Sequence, residues 1–509
     1  VDNNDSKLIF KPTAKGINPK IAAVAVIFLV AGAILTWSFY RSKPYGQLGI
    51  LAWLQSLVLI APWLIFFGLF AAGIYLNLAV ILSLLVASTI IYIYLGKRLR
   101  LLKTNQTIEP KVNPAVSESV TPLETLAAVT AIVPDVMPIP EEDLKVIQSI
   151  FGIDTFFATE TISFQEGAIF KGNLRGEPDI VHSRLTQKLS NHFGDKYRLF
   201  LVEGTEEKPV VIILPKTNDP SPATLAQKNL SLVLLVATIV TSLEAAGILL
   251  GFDLFSNWQR YREAIPLSLG LWSVLIAHEI GHLIIAKRHN VRLSLPYFLP
   301  TWQIGSFGAI TRFESLLPNR IVLFDIAFAG PALGGLVSLI LLIVGLTLSN
   351  SASLFQIPST FFQSSILVSF LARIVLGDEL QNAVISVHPL TVIGWLGLVI
   401  TALNLLPAGQ LDGGRIVQAI YGRKIARRTT VATLVILGII SLVNPSNPIP
   451  LYWTILVAFL QRELERPNLN ELTEPDDTRA GWGLLLLFLM LATLIPLSPS
   501  LAGRFGIGG

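Results

Sequence analysis

The composition of this 509-residue chain excludes an ordinary soluble protein, because 52% of its residues are hydrophobic and only 14% are charged. The mean hydropathy is +0.63, and the formal net charge is only +4. No basic stripe with interleaved aromatic residues occurs, so we expect no nucleic-acid partner. The sequence has no cysteine, which excludes disulfides and leaves nitrogen and oxygen as the ligands for any metal.

Apolar runs near the length that crosses a bilayer, about twenty residues, recur along the chain. We therefore predict an all-α, multi-pass integral membrane protein with about 8–10 transmembrane helices and a small soluble α+β insert. The predicted spans are 21–39, 48–69, 75–95, 230–252, 265–286, 321–348, 389–406, 429–443, 449–460 and 482–497.

The soluble insert occupies roughly residues 103–228, where the apolar pattern stops. Its first part, 104–140, is rich in Pro, Thr, Ser and Glu and is typical of a linker. The rest predicts a compact unit with short helices at 139–151 and 183–193 and a β-hairpin formed by 197–202 and 210–214.

An HExxH motif, from His278 to His282, lies inside the apolar run 265–286. On a helix the two histidines share one face, so their imidazoles can bind one zinc ion while Glu279 handles a proton. Ionisable residues are costly in lipid, so packing alone does not explain the motif.

A catalytic zinc usually has three protein ligands and an open position for water, so one ligand is still to be found. Asp412 is the best candidate, because it directly follows the predicted span 389–406, where proline and glycines break the helix. A polar helix cap at the membrane surface is the alternative. A cap would not require Asn404 in the same apolar run, so we favour a ligand.

The two motifs together resemble the site-2 protease family of intramembrane zinc metalloproteases, peptidase family M50. That family pairs HExxH on one transmembrane helix with N-x-x-P-x-x-x-L-D-G on a later one, and the second motif is complete here from Asn404 to Gly413. The small-residue run 329–334 is a further likeness. The resemblance implies Zn²⁺ held by His278, His282 and Asp412, Glu279 as general base, and Asn404 as a hydrogen-bond donor to the substrate or developing oxyanion.

A narrower likeness comes from Gly172-Asn173-Leu174-Arg175, which resembles a signature of the EGY subgroup of plastids and cyanobacteria. A strand-ending turn is the alternative for these residues. The chain begins almost at its first predicted span, without the Ser- and Arg-rich segment of a plastid transit peptide. We therefore expect a cyanobacterial plasma or thylakoid membrane protein, or a chloroplast membrane protein if the source is a plant.

Basic residues cluster at 97–103, 287–292 and 415–428. Two predicted spans separate each cluster from the next, so the positive-inside rule places all three, with the insert and the active site, on the cytoplasmic side or its plastid equivalent. We divide the chain into N-terminal transmembrane helices (1–100), linker and soluble domain (101–227), catalytic membrane core (228–428) and C-terminal transmembrane helices (429–509).

The segment 293–315 is apolar, but it is too short and too broken by Pro296, Pro300, Gly305 and Gly308 to span the membrane twice. One interpretation is a membrane-embedded hairpin that offers an edge strand to an extended substrate. The alternative is a packed loop.

The expected activity is hydrolysis of peptide bonds in or near transmembrane segments of membrane-protein substrates, in regulated proteolysis. Two alternatives stay open: a metal-binding membrane transporter, and a non-proteolytic scaffold or chaperone that kept the fold. A transporter would not need Glu279 beside the first ligand, and the internal duplication common among transporters is not found. The pattern specifies no oligomeric state.

Overall fold

The computed structural model describes residues 19–71, 78–107, 139–164, 166–204, 208–301, 304–444, 447–458, 463–504 and 506–507. Most of these residues are helical, and the strands are short or confined to the insert. The predicted all-α membrane architecture with a small α+β insert is confirmed.

A helix overlaps each predicted span, and the boundaries agree to within about five residues except at α3, whose predicted start lies outside the described residues, and α11. Those of the described residues are α1 (Pro19–Ser42), α2 (Gly46–Ala71), α3 (Leu78–Thr107), α4 (Glu141–Ser149), α5 (Pro178–Phe193), α6 (Leu225–Leu249), α7 (Tyr261–Arg288), α8 (Arg320–Leu348), α9 (Ile366–Leu376), α10 (Pro389–Asn404), α11 (Asp412–Val443), α12 (Pro448–Leu456), α13 (Asp477–Leu494) and α14 (Pro499–Arg504). Within the same residues, six segments are long and apolar enough to cross a membrane, and the first of them runs through both α1 and α2. The protein is therefore a multi-pass membrane protein.

Helix α11 is longer than the predicted span 429–443, because it already begins at Asp412. Its first half contains Arg415 and several other basic residues, so this part of the helix is not an apolar run in the sequence. The helix breaks at Gly422, whose φ of 78° and ψ of 175° are not helical. Just before this break, the buried Arg320 donates to the carbonyls of Ala419 and Ile420 at 2.8 and 2.7 Å.

The soluble insert is a four-stranded antiparallel sheet with two helices. Its strands are β1 (Phe156–Phe164), β2 (Gly167–Leu174), β3 (Tyr197–Glu203) and β4 (Pro209–Pro215), in the order β1-β2-β4-β3. Large apolar side chains from both layers, including Phe156, Phe170 and Leu185, form one buried core with Leu201 and Ile213. The sequence predicted the β3–β4 hairpin and both helices, but not β1 and β2.

The GNLR motif ends strand β2. Gly172 pairs with Ala158, beside a bulge between Ala158 and Glu160. A Cβ atom at Gly172 would lie 2.1 Å from the carbonyl oxygen of Phe157, so only glycine fits this position. The Arg175 amide donates to the Thr155 carbonyl at 2.8 Å, which continues the strand pairing beyond the motif.

The described residues form two compact units. The first contains α1–α3, α6, the beginning of α7 and most of a hairpin formed by β5 (Tyr297–Thr301) and β6 (Gly305–Ile310), as one of the two interpretations of segment 293–315 predicted. Within this unit, Asn229 of α6 donates to the hydroxyls of Ser38 and Ser56 at 2.8 and 3.2 Å. Thr241 Oγ1, also on α6, donates to the carbonyl of Gly305 at 2.6 Å.

The second unit contains the soluble domain, the end of α7 and the helices from α8 onward. Helix α8 packs against both α10 and α11. Strands β7 (Phe355–Pro358) and β8 (Val384–Val387) form a separate two-stranded pair between α8 and α10 in the sequence. The two helices that supply the metal-ligand candidates, α7 from Ser273 onward and α11, thus belong to one unit.

Gly172→Ala is expected to lower the free energy of unfolding of the soluble domain by about 1–3 kcal/mol, because the added methyl overlaps the Phe157 carbonyl. The measurement is limited proteolysis of the full chain in detergent over a temperature series. Lys171→Ala is the matched control, since this neighbouring side chain makes only an exposed ion pair with Glu160. Equal melting of the two variants would contradict the close-contact explanation.

Candidate metal centre

Three predicted ligands meet in the second unit. His278 and His282 lie one turn apart on α7, and Asp412 is the first residue of α11. The Oδ2 atom of Asp412 is 3.0 Å from His278 Nε2 and 3.3 Å from His282 Nε2, and the two Nε2 atoms are 3.1 Å apart. Around a tetrahedral zinc with bonds of about 2.0–2.2 Å, ligand atoms are separated by roughly 3.3–3.6 Å. The observed triangle is slightly smaller, so a small outward movement of the side chains would accommodate the ion.

The orientation of His282 also fits a metal ligand. Its Nδ1 atom lies 2.8 Å from the carbonyl oxygen of Ile326, which can only accept, so Nδ1 carries the proton. The lone pair of Nε2 then points toward the carboxylate of Asp412 and the second imidazole. All three residues are buried, with exposures of 4–7%, and their ligand atoms converge closely enough to hold one metal ion.

Helix α8 makes room for the imidazoles through the small-residue run 329–334. A Cβ atom at Gly330 would lie 2.2 Å from His282 Nε2, and one at Gly334 would lie 3.0 Å from the Cβ of His278. The absence of side chains at these positions therefore lets α8 lie directly against the ligand face of α7.

Glu279 is half-buried beside the ligands, as the motif requires. Its Oε2 atom accepts a hydrogen bond of 2.8 Å from the hydroxyl of Thr311. Thr311 directly follows strand β6 in the chain. The sequence did not identify this residue, because a single threonine 32 positions from its partner leaves no local pattern.

Asn404 is the last residue of α10 and is 3% exposed. Its Nδ2 atom makes no hydrogen bond to any residue that the structure describes. The carbonyl of the next residue, Leu405, lies against Gly413, directly beside Asp412. The loop between α10 and α11 thus places a buried, unbonded amide in the chain segment next to the third ligand.

Arg415, the first of the clustered basic residues at 415–428, is buried, with 4% exposure. Its Nε and Nη2 atoms lie 3.1 and 3.0 Å from Oε2 of Glu465, and Nη1 lies 3.7 Å from Oδ1 of Asp412. The basic residues that follow it made Arg415 resemble a surface charge. Its partner lies 50 residues later, so only the fold connects them.

Residues 266–444 match the model of peptidase family M50, and residues 145–220 match that of the EGY3 middle domain. The chain is 36% identical over 404 residues to "Probable zinc metalloprotease EGY1, chloroplastic" of Arabidopsis thaliana, which covers 72% of this chain and 73% of that relative. The chain belongs to peptidase family M50. The site-2 protease resemblance is thereby confirmed.

Two further Arabidopsis relatives support the EGY likeness within the M50 family. "Probable zinc metalloprotease EGY2, chloroplastic" is 37% identical over 373 residues, with 71% of this chain and 66% of the relative aligned. "Probable zinc metallopeptidase EGY3, chloroplastic" is 35% identical over 376 residues, with 70% and 65% aligned. The chain thus spans about two thirds of the length of these two relatives. No solved structure matches the chain.

Gly330→Ala is expected to weaken zinc binding by this M50 site about 10–100-fold, because the methyl would displace the imidazole of His282. Competition with a chelator, using the detergent-purified chain, measures the affinity. Gly335→Ala is the matched control on the same helix, since its Cβ would meet Thr401 at an ordinary 3.5 Å. Similar zinc affinities for both variants would remove the role of Gly330.

Proposed function

We propose that the protein is an intramembrane zinc endopeptidase that hydrolyses peptide bonds in or near transmembrane segments of other membrane proteins. The observation that carries the proposal is the buried group of His278, His282 and Asp412, with Glu279 beside it, on helices of a multi-pass membrane protein. Membership of family M50 supports the same reaction, and the relatives are named zinc metalloproteases.

His278, His282 and Asp412 would hold the metal. Zinc held by these residues would activate a water molecule at neutral pH and polarise a substrate carbonyl. Glu279 then takes the proton of the attacking water and delivers it to the leaving amine. The bond from Thr311 fixes one carboxylate oxygen of Glu279 and leaves the other to move the proton.

Asn404 is assigned to the substrate. An amide donor that is buried without a partner costs free energy in the free protein. A substrate carbonyl would satisfy it, and the bond would strengthen as negative charge develops on that oxygen during the reaction. Asn404 therefore acts as a donor to the oxyanion rather than as a metal ligand.

The substrate has to unwind before it is cut, because the amides of a transmembrane helix are bonded internally. The β5–β6 hairpin supplies strand edges to which an extended segment of substrate can add. The next residue after β6 is Thr311, which bonds Glu279, so the strand is continuous in sequence with the residue that orients the base.

We place the protein in a membrane of a photosynthetic cell: a cyanobacterial plasma or thylakoid membrane, or a chloroplast membrane. Relatives named chloroplastic support this assignment. No observation favours a metal transporter, which has no need of Glu279 beside the ligands. A non-proteolytic scaffold differs from a protease in one measurable respect, which is cleavage.

Glu279→Gln is expected to retain about one zinc per chain and to lose cleavage of a model transmembrane substrate, because the amide cannot accept the proton. Asp412→Ala is expected to weaken both zinc binding and cleavage, because it removes a ligand. The measurements are metal content and cleavage by the detergent-purified chain. Zinc binding without cleavage by the wild type would favour the scaffold, and no zinc under metal-replete conditions would overturn the metal site.

Asn404→Ala is expected to lower kcat by about 10²–10³-fold with zinc content unchanged, because it removes an oxyanion donor. Its stability should not fall through a lost hydrogen bond, because the amide nitrogen bonds none of the residues that the structure describes. Asn229→Ala provides the contrast: it removes bonds to Ser38 and Ser56 in the first unit and should lower the melting temperature instead of kcat. A wild-type kcat for Asn404→Ala would refute the assignment.

A further inference from the structure

A short segment after α12 reaches the surroundings of the metal centre from a part of the chain that the M50 match, which ends at residue 444, does not include. We call residues 465–474 the clasp. At its first residue, the buried carboxylate of Glu465 bonds the guanidinium of Arg415 through Nε and Nη2. The backbone of Glu465 is itself fixed, because its amide donates to Gln418 Oε1 at 3.1 Å and its carbonyl accepts from Arg423.

Arg415 contacts Asp412, the candidate third ligand, and Thr311, the residue that bonds the candidate general base. On one side, Nη1 lies 3.7 Å from Oδ1 of Asp412, the oxygen that does not face the histidines. On the other side, Nη2 donates at 2.8 Å to the carbonyl of Thr311, whose hydroxyl bonds Glu279. One guanidinium therefore connects Asp412, through an ion pair, with Thr311, the residue that bonds Glu279.

The other end of the clasp joins the soluble domain. The amide of Leu201 in β3 donates to Leu469 O at 2.8 Å, and the amide of Glu471 donates to Leu201 O at 2.9 Å. The clasp thus forms an isolated parallel β-bridge, between Asn470 and Leu201, at the outer edge of the sheet. Asp179 at the start of α5 reinforces it by accepting from Asn470 Nδ2 and Thr473 Oγ1 at 3.0 and 2.8 Å.

The clasp is also bonded on its opposite side to the chain just before α8. The amides of Leu469 and Asn470 donate to the carbonyls of Leu317 and Pro318, both at 2.9 Å. Leu469 is only four positions after Glu465 in the sequence, so the two are at most about 14 Å apart. Because the connecting chain is so short, a movement of the soluble domain would also displace Glu465.

We propose that Glu465 is a positioning residue of the metal centre, acting through Arg415, and that the clasp couples the soluble domain to the geometry of that centre. The inference rests on the proposed zinc site. A buried arginine is costly unless it is paired and fully hydrogen-bonded, so Arg415 keeps this position only while Glu465 is in place. The soluble domain, which fixes the clasp, thereby holds Asp412 and Glu279 in their working arrangement.

The first test compares Glu465→Gln, Arg415→Gln and the double variant in the full chain, by zinc affinity and by kcat and KM on a model transmembrane substrate. Each single change is expected to weaken zinc binding and lower kcat about 10-fold or more, with KM unchanged. The double variant should be no worse than Arg415→Gln alone, because Glu465 acts through Arg415. Additive losses, or wild-type values for Glu465→Gln, would overturn the positioning role.

Glu474→Gln is the matched control within the clasp. Its carboxylate also bonds a buried arginine, Arg320. That arginine keeps its hydrogen bonds to the carbonyls of Ala419 and Ile420, so zinc affinity and kcat should be unchanged.

If single variants misfold, Arg415→Met combined with Glu465→Leu removes the ion pair without leaving a buried charge. This folded variant should still lose zinc affinity, and normal affinity would refute the role of the pair.

The second test separates the clasp from the soluble domain at one position. Glu471→Pro removes the amide that donates to Leu201, whereas Glu471→Gln keeps that amide and the side-chain acceptor for Asn468 N. We expect the proline variant to lose about 2–10-fold in zinc affinity and kcat, and the glutamine variant to keep both. Wild-type values for Glu471→Pro would overturn the coupling. Zinc affinity tests the coupling even if the chain cleaves no substrate. A failure of the protease proposal would appear only in the cleavage assay, so the two failures can be distinguished.

Discussion

The cost of placing ionisable groups inside a membrane protein governs the structure around the metal centre. Each such group there has a partner: the His282 imidazole bonds the Ile326 carbonyl, Glu279 bonds Thr311, and Arg415 bonds Glu465. These partners come from α8, from the residue after β6 and from the segment after α12. The site therefore depends on elements far apart in sequence, although its two motifs lie on α7 and at the start of α11.

Local patterns carried most of what the sequence could predict. Hydropathy located the membrane helices, and the spacing of His278 and His282 indicated a metal site, to which the structure brings Asp412 as a candidate third ligand. The first half of α11 was missed because Arg415 and the basic residues after it break the apolar pattern. The Arg415–Glu465 pair could not be predicted, because the two residues are 50 positions apart and each resembles a surface charge.

The soluble domain is an integral part of the second unit rather than an appended module. Edge strands expose unpaired amides and carbonyls, and proteins generally cover or blunt them. Here residues 469–471 cover part of the outer edge of β3, and the same residues bond the chain before α8. The GNLR motif, in contrast, lies on β2, where the close pairing with β1 leaves no room for a side chain at Gly172. The sheet that matches the EGY3 middle domain is therefore joined at its edge to the chain that leads into α8.

Charged side chains that the two motifs do not contain also lie close to the ligands. The Nη1 atom of Arg415 lies 3.7 Å from Oδ1 of Asp412, and its Nε atom bonds Oε2 of Glu465 at 3.1 Å. Glu279 is connected to the same guanidinium through Thr311, whose hydroxyl bonds Glu279 and whose carbonyl bonds Nη2. A buried arginine and a buried glutamate are each costly without a partner, so each requires the other. This mutual requirement, rather than either motif, is the reason to assign Glu465 to the surroundings of the metal centre.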